Sequence, residues 1–253
     1  MKLGAQLYSV RDLCDTPEKL YECMKLMKTI GYDIVQASAI CDIEGKRLRS
    51  YVDELDMPIL CTHRPFAEIT ERTDECIKFH KEIGCNVIGI GSMPNEYKGS
   101  YDALKAFARD ISEANKKIID AGLRFAYHNH AFEFELWDGT LPFDYMIEEM
   151  PNLDFIVDTY WTRYAGADTN KYIRQLAGAG RVKNVHFKDM ISEPKGAICA
   201  CGDGIVRFDE LAALCREVGI NNIYVEQDNA PETGDSAAQM KKSYSHLEKI
   251  VKE

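Results

Sequence analysis

The sequence predicts an α/β chain folded as a single (β/α)8 TIM barrel, and three observations carry that prediction. Eight short β-branched or apolar runs alternate with longer amphipathic stretches from end to end, the order that builds a parallel sheet with helices outside it. The helical stretches repeatedly stop on a glycine shortly before the next apolar run. A length of 253 residues suits one closed barrel, which takes about 250. An open doubly wound sheet is the alternative, but no G-x-G-x-x-G follows the first run. With no linker, low-complexity tract or charge block, residues 1–253 read as one domain.

The strands are expected at Lys2–Tyr8, Asp33–Ala37, Pro58–His63, Asn86–Ile90, Arg124–His130, Asp154–Asp158, Val182–Lys188 and Asn222–Glu226. Helical spacing appears over Pro17–Ile30, Thr73–Ile83, Tyr101–Ala121 and Asp209–Val218, each followed by glycine: Gly31, Gly84, Gly122 and Gly219. Asp15-Thr16-Pro17-Glu18 is a helix-start signal made of a capping residue, a proline at the first helical position and an acid in the first turn.

Composition narrows the function. Hydrophobic residues are 45% and charged residues 28%, the profile of an ordinary globular protein. Lys plus Arg number 31 against 41 Asp plus Glu, a net charge of −10. Such a surface repels phosphate backbones, so nucleic acid is not the expected partner. The start, Met1-Lys2-Leu3-Gly4, does not read as a signal peptide, and no apolar run approaches a membrane span. Nine cysteines, an odd number, read as free thiols in a reducing, cytoplasmic setting. Cys199 and Cys201 form a lone C-x-C without the second pair that a zinc ribbon needs. Exposed aromatic loops leave room for a homodimer.

The chemistry sits where the apolar runs end. His128 and His130 follow Arg124-Phe125-Ala126-Tyr127, Asp158 follows Phe155-Ile156-Val157, His186 follows Val182-Lys183-Asn184-Val185, and Glu226 follows Ile223-Tyr224-Val225. In a barrel those ends converge on one mouth, where barrel enzymes keep their active sites. Alternation puts His128 and His130 on one side of the fifth strand, about 6.6 Å apart, with Asn129 opposite. A carboxylate directly after Phe-Ile-Val is costly to bury unpaired, and a divalent cation or an arginine would satisfy it. Lys188 shares a face with His186 and could steady a developing enolate oxygen, unless it is simply paired with Asp158, Asp189 or Glu226. Glu226 and His130 are the candidates to move a proton. Tyr8, Arg11, His63, Glu133, Trp161 and Asp228 would complete the mouth as substrate contacts, Trp161 by stacking on a sugar ring. Gly202-Asp203-Gly204 reads as a turn, too short and too acidic for a phosphate cradle.

Imidazole and carboxylate together suit one Mn²⁺, Co²⁺, Zn²⁺ or Fe²⁺ ion, with Mn²⁺ preferred, and carry too much nitrogen for Mg²⁺ or Ca²⁺. Four protein ligands on an octahedral ion leave two positions for a hydroxy-ketone, whose intervening C–H becomes acidic. Isomerisation, epimerisation and β-elimination all share that proton abstraction.

Six segments then resemble the sugar phosphate isomerase/epimerase family of xylose isomerase-like barrels, across essentially the whole chain. They are Gly4-Ala5-Gln6-Leu7-Tyr8-Ser9-Val10-Arg11, Tyr127-His128-Asn129-His130-Ala131-Phe132-Glu133-Phe134, Asp158-Thr159-Tyr160-Trp161, Val185-His186-Phe187-Lys188-Asp189, Gly202-Asp203-Gly204 and Val225-Glu226-Gln227-Asp228. The resemblance implies a small-molecule carbohydrate substrate and a Glu, Asp, His, Glu ligand set from strands five to eight. Asp158, His186 and Glu226 match the last three. His128 stands where the fifth-strand glutamate is expected, leaving His128, His130 or a looped-back Glu133 as first ligand. Losing one of two paired glutamates disfavours a symmetric epimerase. It favours a lyase or dehydratase, as in family members acting on keto-inositols and 3-keto-glycosides. Two alternatives belong to the same group of barrels. One is a sugar-binding barrel without catalysis. The other is a DNA-repair enzyme like endonuclease IV, which would need a three-metal cluster and a basic face, whereas this chain has six His and a net charge of −10.

Overall fold

In a computed structural model, which describes residues 1–193 and 196–252, eight parallel strands close into a barrel. They are β1 (Lys2–Gln6), β2 (Ile34–Ala37), β3 (Ile59–His63), β4 (Val87–Ile90), β5 (Arg124–His128), β6 (Asp154–Asp158), β7 (Val182–Phe187) and β8 (Asn222–Val225). Neighbours in sequence are neighbours in space, and β1 pairs with β8 from Lys2↔Asn222 to Ala5↔Val225 to close the ring. Several strands stop earlier than the apolar runs suggest. β1 gives way to a 3₁₀ turn over Leu7–Leu13, because the Gln6 side chain accepts from the Tyr8 amide and bends the chain. Similarly, β5 ends at His128 rather than His130, β7 at Phe187 and β8 at Val225.

The expected helices form as α1 (Pro17–Ile30), α4 (Thr73–Ile83), α5 (Tyr101–Asp120) and α9 (Phe208–Glu217). Each sits ahead of a glycine in the left-handed half of φ space. Thr16 caps α1, its hydroxyl accepting from the Lys19 amide at 3.3 Å. One stripe of α1 (Leu20, Cys23, Met24 and Met27) is buried against the sheet. Each such Leu or Met contributes about 1.5–3 kcal/mol by leaving water. The ring is completed by α2 (Gly45–Leu55), α3 (Phe66–Glu71), α6 (Pro142–Glu149), α7 (Thr159–Tyr164), α8 (Thr169–Gly178) and α10 (Ser236–Lys252). All nine cysteines are free thiols.

Alternation divides each strand between two environments. Outward residues such as Phe125, Tyr127, Phe155, Val157, Val185 and Phe187 join the main core beneath the helices. Inward residues fill the barrel, where Cys61, Val87, Ala126 and Ile156 form a small separate cluster. Gly4 has no side chain because the Tyr224 ring occupies that space, and a methyl group there would overlap the ring. Tyr224 thus forms a floor, its ring 6.2 Å from that of His186 above it.

Candidate active site

The four ligand-type residues read from the sequence meet at the C-terminal mouth. One ligand atom from each of His128, Asp158, His186 and Glu226 lies within 4.8 Å of the others, and all four residues are buried. Strand register does the work: Asp158 and His186 are paired neighbours on β6 and β7, and Glu226 follows β8. His186 Nδ1 is 2.9 Å from Glu226 Oε2, and His128 Nε2 is 3.4 Å from Asp158 Oδ2 and 3.6 Å from Glu226 Oε2.

The other nitrogen of each imidazole faces a carbonyl oxygen. His128 Nδ1 lies 3.0 Å from the Gly91 carbonyl oxygen, and His186 Nε2 lies 2.8 Å from Gln36 Oε1. Those oxygens only accept, so the tautomer that suits them puts the proton on each outer nitrogen and turns each inner nitrogen toward the carboxylates. In that tautomer two imidazole nitrogens and two carboxylates face one point, the donor types of a transition-metal site with the rings held from behind. Charge points the same way. Asp158, Glu226 and Asp228 carry three formal negative charges against one positive charge on Lys188. Counting the carboxylates and the lysine alone, two negative charges are left over, which one divalent cation would balance. Burial depresses the basicity of His128, but Asp158 and Glu226 outweigh it and hold its pKa above the usual imidazole value. Burial likewise opposes ionisation of Glu226, yet Lys188 and His186 hold it well below the usual carboxylate range.

Asp158 has a second task. Its Oδ1 accepts from the Trp161 amide at 2.8 Å and so caps α7, while its own amide donates to Asn129 Oδ1 at 3.0 Å. One oxygen therefore serves the helix and the other the cluster.

Lys188 is buried, and its Nζ lies 2.7 Å from Asp228 Oδ2, 3.8 Å from Glu226 and 3.9 Å from Asp158. Burial disfavours its charge, but Glu226, Asp158 and Asp228 raise its pKa above the ordinary value. Asp189 is not its partner. That carboxylate accepts the amides of Met190, Gly202, Gly204 and Val206 and shapes the Gly202-Asp203-Gly204 turn.

The cavity above the cluster is lined by Tyr8, His63, His128, His130, Lys188, Glu226 and Asp228, so three of the six expected substrate contacts, Tyr8, His63 and Asp228, face it. His63 sits 5.1 Å from His128 ring to ring, and its buried Nε2 has no partner among the described residues. Burial, then the neighbouring imidazoles, hold His63 neutral, its pKa well below the usual value. His130 also has an unpartnered buried Nδ1, and burial lowers its pKa to about 2. Arg11 stacks over Tyr8 at 4.3 Å and donates to the Asp228 backbone oxygen at 2.9 Å, tying the two sides of the mouth together.

Two expected contacts point elsewhere. Glu133 is fully buried and outside the cavity lining: a 3₁₀ turn over Phe132–Phe134 rolls it inward. There it accepts from the Tyr127 hydroxyl at 2.6 Å and the His130 amide at 2.8 Å. Burial raises its pKa to about 7 against those hydrogen bonds. It is therefore neither a substrate contact nor a looped-back ligand. Trp161 is also absent from the lining. Its ring packs 5.0 Å from His130 and lies under Lys188 Nζ at 4.8 Å, so it backs the site rather than offering a face to a sugar.

The sequence reading missed Gln36, whose amide holds His186. A glutamine inside the apolar run Ile34-Val35-Gln36-Ala37 was the available signal, since a buried polar side chain needs a partner.

The model of the xylose isomerase-like TIM barrel family matches residues 24–250. The chain belongs to that family. This xylose isomerase-like barrel superposes with a TM-score of 0.79 on a sugar phosphate isomerase/epimerase from Parabacteroides distasonis, at 20% identity over 99% of this chain and 94% of the other. The IolI protein crystallised with a bound zinc atom gives 0.76 at 15% identity, covering 99% and 98%. A probable 3-DHS dehydratase, AsbF, from Bacillus anthracis gives 0.71 at 14% identity, covering 95% and 98%. No curated protein matches the sequence.

Proposed function

We propose that this barrel is an enzyme that binds one divalent metal ion and removes the proton beside the carbonyl of a small hydroxy-ketone carbohydrate, as an isomerase, epimerase or lyase. The observation that carries the reading is the convergence of two imidazole nitrogens and two carboxylates at the C-terminal mouth, with the far nitrogen of each ring held by a carbonyl oxygen. His128, Asp158, His186 and Glu226 hold the ion, with Mn²⁺ first and Co²⁺, Zn²⁺ or Fe²⁺ as substitutes. The ion would polarise the carbonyl and acidify the neighbouring C–H.

The chain's own groups then divide the labour. Glu226 lies against two imidazoles and Lys188, which keep it ionised and weakly basic. His130 is the second candidate acceptor: it is neutral, lines the cavity and has no partner for Nδ1 among the described residues. Its low proton affinity means that transfer is favoured only as negative charge develops beside it. Lys188, kept charged and held by Asp228, faces that developing oxyanion. Having one neutral base and one fixed cation, rather than two equivalent carboxylates, favours a lyase or dehydratase over a symmetric epimerase. His63 and Tyr8 offer hydrogen bonds to substrate hydroxyls.

The test is elemental analysis joined to proton–deuterium exchange on a panel of keto-sugars. One ion per chain and exchange that chelator abolishes are expected, with both lost in His186→Ala. Undiminished exchange in metal-free buffer would overturn the reading.

A further inference from the structure

Glu133 takes no part in that scheme, yet the fold keeps it at a cost. It is fully buried, and burial pushes its pKa up to about 7. An apolar side chain would fill the same place without that penalty. The reason for a carboxylate lies in what its two oxygens hold.

One oxygen holds His130. Oε2 accepts from the His130 amide at 2.8 Å. The same 3₁₀ turn lays the Phe132 ring nearly parallel to the His130 imidazole, 5.7 Å between centres, and Trp161 packs on that imidazole at 5.0 Å. His130 is thus gripped at backbone and ring, by a turn that Glu133 fastens.

The other oxygen reaches the loop after β4. Oε1 accepts from the Tyr127 hydroxyl at 2.6 Å, and that hydroxyl accepts from the Met93 amide at 3.3 Å. In the same loop, the Gly91 carbonyl oxygen faces His128 Nδ1 at 3.0 Å. The carbonyl that orients His128 is therefore tied, through Tyr127, to the carboxylate that holds His130. Both donors need an acceptor, and a carboxylate offers one oxygen to each. A glutamine would offer one oxygen only, and the Tyr127 hydroxyl would lose its acceptor.

We infer that Glu133 is a positioning residue that sets both imidazoles at the end of β5, His130 through its backbone amide and His128 through Tyr127 and the Gly91–Met93 loop. It touches neither substrate nor ion. Its purpose rests on the function proposed above, whereas its geometry does not.

Three variants test this: Glu133→Ala, Glu133→Gln and Tyr127→Phe, each checked for cooperative thermal unfolding. Hydrogen exchange of the metal-free protein reads the two branches separately. Tyr127→Phe should speed exchange of the Met93 amide about tenfold or more and leave that of His130 within about threefold. Glu133→Ala should speed the His130 amide about tenfold or more, and Glu133→Gln should leave it protected, because the remaining oxygen still accepts it. Mn²⁺ affinity by calorimetry should fall about tenfold or more in Tyr127→Phe and Glu133→Ala. With Mn²⁺ saturating, kcat for proton–deuterium exchange on the fastest keto-sugar of the panel should fall about 100-fold in Glu133→Ala, with KM little changed, and recover at least about tenfold in Glu133→Gln. Amide protection or Mn²⁺ affinity equal to that of the unaltered protein in Glu133→Ala and Tyr127→Phe overturns the inference. So does a Glu133→Gln protein as slow as Glu133→Ala, which would mean that the carboxylate acts by its charge. Should the alanine variant fail to fold, the glutamine and phenylalanine variants decide. An unaltered protein that neither binds Mn²⁺ nor exchanges any keto-sugar brings down the proposed function instead, and the two amides still report whether Glu133 holds both loops.

Discussion

Strands β5, β6 and β7 each place a charged or ligand-type side chain at both ends of the barrel interior, and the two ends are built on opposite terms. At the N-terminal end, fully buried Asp154 receives two hydrogen bonds from Arg124, both 2.6 Å, and a second cation, Lys183, stands 3.5 Å away. The one anion there is fully paired, with positive charge to spare. Four residues along the same strand, Asp158 shares a cluster in which negative charge exceeds positive and nearby imidazole nitrogens go unpartnered. The lower group is arranged for stability and the upper one for binding, the division of ends expected of these barrels.

Substituting the two aspartates separates these roles. Asp158→Asn keeps an oxygen to cap α7 but removes a carboxylate from the cluster. Exchange activity should fall by about a thousandfold or more, with the melting temperature of the metal-free protein unchanged or raised. A melting temperature that collapses in step with activity would erase the contrast. Asp154→Ala should do the reverse, leaving Arg124 and Lys183 facing one another and costing about 3–5 kcal/mol in chemical denaturation. Metal stoichiometry should stay at that of the unaltered protein.

His80 supplies a titratable reference at neither end. Its Nδ1 donates to the Cys76 carbonyl and its Nε2 accepts from the Thr62 hydroxyl, both at 2.7 Å, so the neutral form is fully satisfied. Burial lowers its pKa from 6.5 to about 4. The unfolded chain then binds the proton first, so this contribution is complete above pH 6.5 and drains away as pH falls through 4. The total is about 3 kcal/mol. His80→Leu should flatten that part of a stability–pH profile, and an unchanged slope would assign the acid sensitivity to the mouth instead.

A smaller effect is expected at Gln36. Replacing it with leucine frees the His186 tautomer and should weaken Mn²⁺ binding about 10- to 100-fold by calorimetry. Unaltered affinity would show that the ring is held by the strand alone.

Much of this arrangement was readable in the letters. Eight apolar runs and the residues that end them placed Asp158, His186 and Glu226 together, because strand alternation and barrel closure leave those side chains little choice of direction. Residues just beyond a strand are governed by turns instead, and there the reading failed. Glu133 turns into the core because a 3₁₀ turn brings it to Tyr127 and the His130 amide, a matter of local backbone geometry. Trp161 lies in the first turn of α7, whose cap directs it behind Lys188. Gln36 escaped notice because one glutamine in an apolar run does not name its partner, and the His186 ring that it serves is 150 positions away.

Closure between β1 and β8 has a consequence for synthesis. A nascent chain still on the ribosome can assemble β1 through β7 yet lacks Glu226, the last residue of the cluster, and the strand that seals the ring. Completion of the four-residue cluster is thereby a late event, coupled to the final docking step, and capture of the proposed ion would follow it.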